Sequence, residues 1–327
     1  KHSERILQRR RKIMVLCAGE ILVDLLGTEK REGFFYERKA GGAPYNVACA
    51  VKKLGGSAGF VGAVGDDLVG RFLKSHAEKR GFDALDISVS DTRNTTLAFV
   101  EIDRSGERSF CFYRKNTADF HLPAVSEEML KTARIVHIGS LMLSEAEGRA
   151  YAESLAKRAH AAGKIVSFDV NFRTDIFRDE AAALKTYRNM ILLADIVKFS
   201  EEEAVLFRDL FSSGAMEKKL VAVSLGGKGS RWVRNGKRGD VPTISVTPVD
   251  TTGAGDAFYA GVLTELDRLI SAASPAENAN GDGFFRALSA EKLNEIFRFA
   301  NVCGALNTQG RGAIDFLPDR SAVEARL

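Results

Sequence analysis

The chain has 327 residues, 45% of them hydrophobic and 28% charged, the balance of an ordinary soluble globular protein with ample length for a core. Its formal net charge is +4, yet Lys1, Arg5, Arg9, Arg10, Arg11 and Lys12 against Glu4 place +5 in the first twelve residues, leaving about −1 for the rest. A basic nucleic-acid-binding surface is thereby disfavoured, and no apolar run approaches the roughly 20 residues of a membrane span.

Residues 1–12 read as a solvated, disordered basic extension ahead of a start at Met14, and 13–327 as one domain. The opening residues lack the apolar stretch of a signal peptide. Cys17, Cys49, Cys111 and Cys303 are far apart and form no CxxC or Cys/His cluster, so they read as reduced, mostly buried thiols of a cytoplasmic protein.

From Met14 onward, short apolar runs alternate with amphipathic stretches. A strand is expected over Met14–Ala18, with Asp24 at its end, and Gly33–Arg38 reads as a further strand with no helix after it. A helix over Pro44–Leu54 has Pro near its start and Gly55 just past its end. Strand Gly59–Ala63 and helix Asp67–Arg80 follow. Thr96–Ile102 and Ser109–Tyr113 then flank Asp103-Arg104-Ser105-Gly106, a hairpin signal. Strands Ile135–Ile138, Ile165–Asp169, Ile196–Phe199 and Leu220–Ser224 alternate with helices Glu145–Ala162, Glu180–Leu193 and Glu201–Leu210. These strands are continuously apolar, as strands buried on both faces are. A strand over Ile244–Val249 leads into helix Ala254–Leu269, and a polar loop, Ala272–Gly283, precedes helix Ala290–Asn307. The alternation implies an α/β fold with a mostly parallel sheet covered by helices. The helix-free stretches, about 25–40 and 92–118, form either a small β-sheet lid that excludes water from a substrate or a plain extra hairpin.

The segment Asp250-Thr251-Thr252-Gly253-Ala254-Gly255-Asp256-Ala257-Phe258 opens the helix after Val249. Its small residues let backbone approach a ligand, and free N–H groups at a helix start favour an anion such as phosphate. Asp256, in the first turn, is placed to accept a hydroxyl proton as that oxygen attacks a γ-phosphoryl group, and the helix start should keep it ionised. No GxxxxGK[ST] is present, which excludes a P-loop, and no GxGxxG follows the first strand, which disfavours dinucleotide binding. Ser224-Leu225-Gly226-Gly227-Lys228-Gly229-Ser230 reads as a turn that passes near a nucleotide. In Gly41-Gly42-Ala43-Pro44-Tyr45-Asn46, glycines precede a helix from which Asn46 points back, able to donate to and accept from sugar hydroxyls. Asp24 is a carboxylate that can accept from two hydroxyls. Taken singly, each of these also reads as an ordinary turn or helix start.

Together, Gly41–Ala48 and Asp250–Asp256 resemble the two signature motifs of the ribokinase-like (PfkB) carbohydrate kinases, a resemblance that spans nearly everything from Met14 onward. It implies a three-layer sandwich with a mainly parallel central sheet and a β-sheet lid, ATP with Mg²⁺, often K⁺ or another monovalent cation, and a homodimer through the lid. It implies that Asp256 is the catalytic base and that Gly253, Ala254 and Gly255 form an anion hole. Asp24, Gly41, Gly42 and Asn46 match sugar-contacting positions, and Ser224, Gly226, Gly229 and Thr252 nucleotide-side positions. Asn301 matches a position near the adenine, and Asp250 and Gly312 positions of a cation loop. Where the family often carries Asn-x-x-Glu near the metal and phosphates, this chain reads Ser200-Glu201-Glu202-Glu203, so Glu203 keeps the acid while Ser replaces Asn.

Phe112-Tyr113-Arg114 with Thr117-Ala118-Asp119, and Asp169-Val170-Asn171-Phe172-Arg173, resemble fructokinase segments. In the related 2-keto-3-deoxygluconate kinases similar arginines meet a substrate carboxylate, so Arg114 and Arg173 do not separate the two. Gly42-Ala43-Pro44 and the Phe112–Arg114 run favour the ketose, with phosphoryl transfer to a fructose hydroxyl. An adenosine-type kinase is less favoured. Outside enzymes, the alternative is a non-catalytic sugar-binding regulator, against which an intact Asp256 argues.

Overall fold

Alternate side chains of a strand point to opposite faces, and here both faces are covered. In strand β1 (Met14–Ala18), Met14, Leu16 and Ala18 enter one apolar cluster while Val15 and Cys17 enter another. The computed structural model describes residues 14–102, 108–173, 176–177, 179–272, 285 and 288–327. The basic segment 1–12, the turn at 103–106 and all of the polar loop beyond Ala272 lie outside the described residues.

After β1 come β2 (Leu22–Lys30), β3 (Gly33–Gly41), α1 (Ala43–Lys53), β4 (Ala58–Gly65), α2 (Leu68–Glu78) and β5 (Ala84–Ser90). Strands β6 (Leu97–Ile102) and β7 (Arg108–Tyr113) precede α3 (Glu127–Thr132), β8 (Ala133–Ile138), α4 (Ala146–Ala161), β9 (Ile165–Asp169) and α5 (Glu180–Leu193). Then follow β10 (Ile196–Ser200), α6 (Glu201–Leu206), α7 (Arg208–Ser212), β11 (Leu220–Ser224), β12 (Ser230–Arg234) and β13 (Lys237–Val241). Helices α8 (Ala254–Ala272), α9 (Ala290–Asn307) and α10 (Arg320–Glu324) come last.

The larger sheet runs β13-β12-β11-β10-β9-β8-β1-β4-β5. Neighbours from β5 to β11 pair in parallel, and β12 and β13 add antiparallel strands at one edge. One face packs on α1, α8 and α9 through Val47, Val262 and Phe297. The other packs on α4, α5 and Phe207 through Leu155, Tyr187 and Met190. This is the expected α/β three-layer architecture. A smaller sheet of order β3-β2-β6-β7 accounts for the helix-free stretches. Here β2 pairs antiparallel with β3 along its whole length and parallel with β6.

Four local expectations are corrected. Asp24 lies within β2, opposite Lys39, not at the end of the first strand. Ile244–Val249 is not a strand: Pro242 precedes it and Pro248 lies within it, neither offering an N–H to a ladder, and it runs as irregular chain. The helix expected over Glu201–Leu210 breaks at Phe207, whose fully buried ring packs against Phe172 and Phe199. Finally, β5 was not anticipated, although Leu85, Ile87 and Val89 alternate with Asp86, Ser88 and Ser90 in the period-two pattern of a half-covered edge strand. Among the described residues no helix is long and apolar enough to cross a membrane.

Helices α8 and α9 pack in close contact because Gly261 carries no side chain. A Cβ there would lie 2.8 Å from Ala300 Cα and 3.2 Å from Cys303 Sγ. Overpacking of this kind costs about 1–3 kcal/mol. Gly261→Val should therefore lower the urea midpoint accordingly and displace the start of α8, which chemical denaturation and ligand-binding measurements on the variant would check.

Candidate active site

The segment 250–253 is tied down before α8 begins. Asp250 Oδ1 accepts from the Thr252 N–H (2.8 Å) and hydroxyl (2.7 Å), and Oδ2 accepts from the Gly312 N–H (2.9 Å). Asn307 Nδ2 donates to the carbonyls of Thr252 (3.2 Å) and Ala313 (3.3 Å). Gly253 sits at φ +72°, with Ala313 where a side chain would go (2.7 Å), so both conformation and space demand glycine. Asp250, Thr252 and Gly312 are thus brought together as one loop.

The start of α8 separates two cavities. A smaller one of about 270 Å³ is lined by Asp24, Gly42, Asn46, Phe112, Arg173 and Asp256, among others. A larger one of about 480 Å³ is lined by Ser224, Gly226, Gly229, Ala254 and Asn301, among others. Thr251 and Gly255 face both. Thr252, expected with the nucleotide residues, lines the smaller cavity, and Thr251 takes the shared position.

In the smaller cavity, Asn46 from α1 donates through Nδ2 to Asp256 Oδ2 (2.8 Å), and its own Oδ1 is buried with no partner. Asp24 fits because Gly41 has no side chain: a Cβ there would lie 2.2 Å from Asp24 Oδ2. Gly41 acts by this clearance and does not itself line the cavity. Asp256 departs from expectation electrostatically. Removal from water raises its pKa above the ordinary range, against the opposing influence of Asn46, Lys198 and Arg173, so the helix start does not dominate. Burial likewise pushes Asp24 up to about 7, with Asp256 adding to the effect and Arg173 opposing it.

Glu20, Asp169, Asn171 and Lys198 also line this cavity and were not singled out from sequence as site residues. Lys198 on β10 stands opposite Asp169 on β9, and its Nζ donates to both carboxylate oxygens at 3.0 Å. Burial alone would lower the Lys198 ammonium, but Asp169, Glu203 and Asp256 outweigh it and hold the group above its ordinary range. A Cβ on Gly255 would be 3.2 Å from Lys198 Nζ, so this cation sits against the turn that opens α8. The signal was a lone Lys inside the apolar run Ile196–Phe199. For Glu20 it was an acid directly after the first strand.

Three expected ligand contacts are occupied by the fold instead. Arg114 does not line the cavity. Its Nε and Nη2 donate to Asp119 (3.2 and 2.6 Å), its Nη1 to the Leu141 carbonyl (3.0 Å) and Ser144 hydroxyl (3.2 Å), and its guanidinium lies over Phe120. Glu203 lines neither cavity. It closes a capping box with Ser200, Oε2 accepting from the Ser200 N–H (2.7 Å), while Oε1 accepts from the Phe172 N–H (2.6 Å). The Ser that replaces Asn is the reciprocal half of that box, accepting from the Glu203 N–H at 3.2 Å. Asn301 does line the larger cavity, but its amide holds the carbonyls of Val241 (2.8 Å) and Pro242 (3.2 Å), so it shapes the wall through 241–248.

Chemically, the arrangement joins a polar cavity suited to a hydroxylated molecule to a larger, more apolar one. A helix start stands at their junction, with a buried ammonium and a carboxyl able to accept a proton on the polar side. Among the described residues no three Asp, Glu, His or Cys side chains cluster as a metal cage.

A model of the pfkB family carbohydrate kinases matches residues 12–320. The chain is 35% identical over 333 residues to a probable fructokinase-7 of Arabidopsis thaliana, covering 96% of this chain and 92% of that protein. It superposes on the crystal structure of a fructokinase with bound ATP from Xylella fastidiosa with TM-score 0.86 and 32% identity, covering 96% and 98% of the two chains. A fructokinase double mutant from Vibrio cholerae O395, in fructose, ADP and potassium ion bound form, gives TM-score 0.80 and 29% identity over 97% and 99%.

The raised carboxyls carry a stability consequence. Glu20, pushed up to about 8 by burial, and Asp24, at about 7, keep protons in the folded state that the unfolded chain releases near pH ~4. Their contribution is therefore full below that pH and is lost as pH rises toward 7–8, by up to roughly 1.4 kcal/mol per pH unit and group. Urea midpoints measured between pH 6.5 and 8 should fall with pH, and Glu20→Gln should make that slope shallower.

Proposed function

The chain belongs to the pfkB family of carbohydrate kinases, and we propose that it transfers the γ-phosphoryl group of ATP to a hydroxyl of a ketose, fructose. The observation that carries this reading is Asp256, which lines the smaller cavity one residue beyond the Gly255 that faces both and is hydrogen-bonded to Asn46. The sugar occupies the smaller cavity against Asp24, Gly42, Asn46, Phe112 and Arg173. ATP occupies the larger, its phosphates reaching the N–H groups of Gly253 and Gly255, while the N–H of Ala254, the third residue expected in the anion hole, donates to the Thr251 carbonyl (3.2 Å) and closes the turn. Asp256 accepts the hydroxyl proton as the sugar oxygen bonds to the γ-phosphorus. The bond from that phosphorus to the β-phosphate oxygen breaks, and ADP leaves. A carboxyl with a raised pKa is the stronger proton acceptor, which suits this task. Lys198 stands where phosphoryl charge develops.

A neutral ketose is favoured over a keto acid by the charge around the cavity. The carboxyls of Glu20, Asp24, Asp169 and Asp256 face it, those of Glu20 and Asp24 held toward the neutral form by burial, while the Arg114 fork is engaged by Asp119. Among the described residues the cations that line it are Arg173 and Lys198, and Lys198 is paired with Asp169. A substrate carboxylate would therefore find no guanidinium fork set aside for it, whereas the neutral carboxyls suit hydroxyls.

Mg²⁺ bound to the phosphates supplies neutralisation of their charge, and K⁺ is assigned to the loop of Asp250, Thr252 and Gly312. The smaller sheet contributes Leu22, Asp24 and Phe112 to the sugar cavity, which supports its reading as a lid (segments about 25–40 and 92–118) on a single kinase domain of residues 13–327. Its exposed Phe34, Phe35, Tyr36 and Tyr113 suit a homodimer through the lid. Buried free Cys17, Cys49 and Cys303 accord with a reducing, cytoplasmic setting.

The test is ADP release with ATP, Mg²⁺ and K⁺ over fructose, glucose, ribose, adenosine and 2-keto-3-deoxygluconate. Fructose should give the highest kcat/KM, and preference for the keto acid would overturn the substrate. Asp256→Asn should lower kcat by about 10²–10⁴-fold with sugar affinity kept. Wild-type turnover in that variant would remove Asp256 as base. Lys198→Met should lower kcat about 10²-fold or more with the sugar KM little changed, checked by steady-state kinetics.

A further inference from the structure

Among the described residues, the only buried carboxyl oxygens without a hydrogen-bond partner are the two of Glu20. The residue is fully buried and follows Gly19 just past β1, yet it lines the smaller cavity beside Leu22, Leu141 and Asn171. Space has been left for it. A Cβ on Gly139 would lie 2.5 Å from Oε2, and one on Gly42 2.4 Å from the Glu20 carbonyl. The nearby Arg114 does not answer it: four of its five N–H groups go to Asp119, Leu141 and Ser144, and none reaches a Glu20 oxygen.

An unpaired buried carboxyl costs free energy, and more so if charged. Burial pushes Glu20 up to about 8, with Asp119 and Asp256 adding to this while its own backbone N–H and Arg114 oppose it. A neutral carboxyl offers one O–H donor and one carbonyl acceptor side by side, the complement of a hydroxyl that both accepts and donates.

We propose that Glu20 is a specificity-determining residue that grips a non-reacting hydroxyl of the acceptor sugar. The inference rests on the reading that the smaller cavity holds the sugar. Glu20 is itself fully buried, so a substrate lacking that hydroxyl leaves both of its oxygens unanswered. Such sites reject deoxy analogues strongly.

The experiment is steady-state kinetics at saturating ATP and Mg²⁺, with fructose and fructose analogues each lacking one hydroxyl. Wild type, Glu20→Leu and Glu20→Gln are compared, with thermal unfolding to confirm folding. Glu20→Leu should raise the fructose KM by about 10- to 100-fold while the ATP KM is unchanged, and Glu20→Gln, which keeps a donor and an acceptor, should stay within about fivefold. One deoxy analogue should cost the wild type as much as Glu20→Leu costs with fructose, and should cost Glu20→Leu nothing further. If Leu is not tolerated, Glu20→Ala is read in the same way. A fructose KM unchanged in the folded Leu or Ala variant, or an equal penalty for every deoxy analogue in wild type and variant, overturns the proposal. Failure of the wild type to use fructose would instead overturn the substrate reading, and the variants are then compared on whichever acceptor of the panel it does use.

Discussion

The site depends on where α8 begins. A helix start has N–H groups without intrahelical partners; here that of Ala254 donates to the Thr251 carbonyl, and the turn that carries it lies between two cavities. Asp250 holds this turn through both carboxylate oxygens, from Thr252 on one side and Gly312 on the other. The contact of Gly261 with Ala300 then holds the rest of the helix against α9. Because Asp256 is one residue beyond the shared Gly255, any shift of the turn moves the Asp256 carboxyl and the backbone N–H groups of the helix start together. The chemistry is thus linked to the packing of two helices on one face of the sheet.

Around that turn the protein concentrates groups that an ordinary core would not tolerate. Glu20, Asp24, Asp169 and Asp256 face one small cavity, balanced by Lys198 and Arg173. Enclosure raises the proton affinity of Glu20, Asp24 and Asp256. The physical cause is common to all three: a carboxylate loses more hydration on enclosure than its partners return. Local instability of this sort is characteristic of sites arranged for a ligand instead of for the fold alone.

Other polar residues near the site serve geometry. Arg114 locks Asp119 and the backbone at Leu141, Glu203 closes the start of α6, and Asn301 fastens the chain at Val241 and Pro242. Each was legible as a conspicuous polar residue in a motif-like context. Which partner each donor or acceptor engages was not, because a side chain with several hydrogen-bonding atoms is compatible with either a ligand or a nearby backbone group until three-dimensional neighbours are known. The departure Ser200 for Asn shows the converse: it stood out against the family pattern near the metal and phosphates and proves to be half of a local cap.

The sequence by itself determined the layered α/β architecture, the buried strands from Met14–Ala18 to Leu220–Ser224 and the two Gly-rich helix starts that carry Asn46 and Asp256. These follow from local causes: apolar continuity, caps and the conformations only glycine adopts. It also marked the smaller sheet, though not the edge strands, whose weak apolar alternation is decided by what covers one side. Only the tertiary structure decided that Lys198 pairs with Asp169 across neighbouring strands, that Glu20 is buried without a partner, and that Asp256 is raised by enclosure and not kept low by its helix. Those outcomes depend on desolvation and on contacts between residues distant in the chain, as between Asn46 and Asp256, and neither quantity exists until the chain has folded.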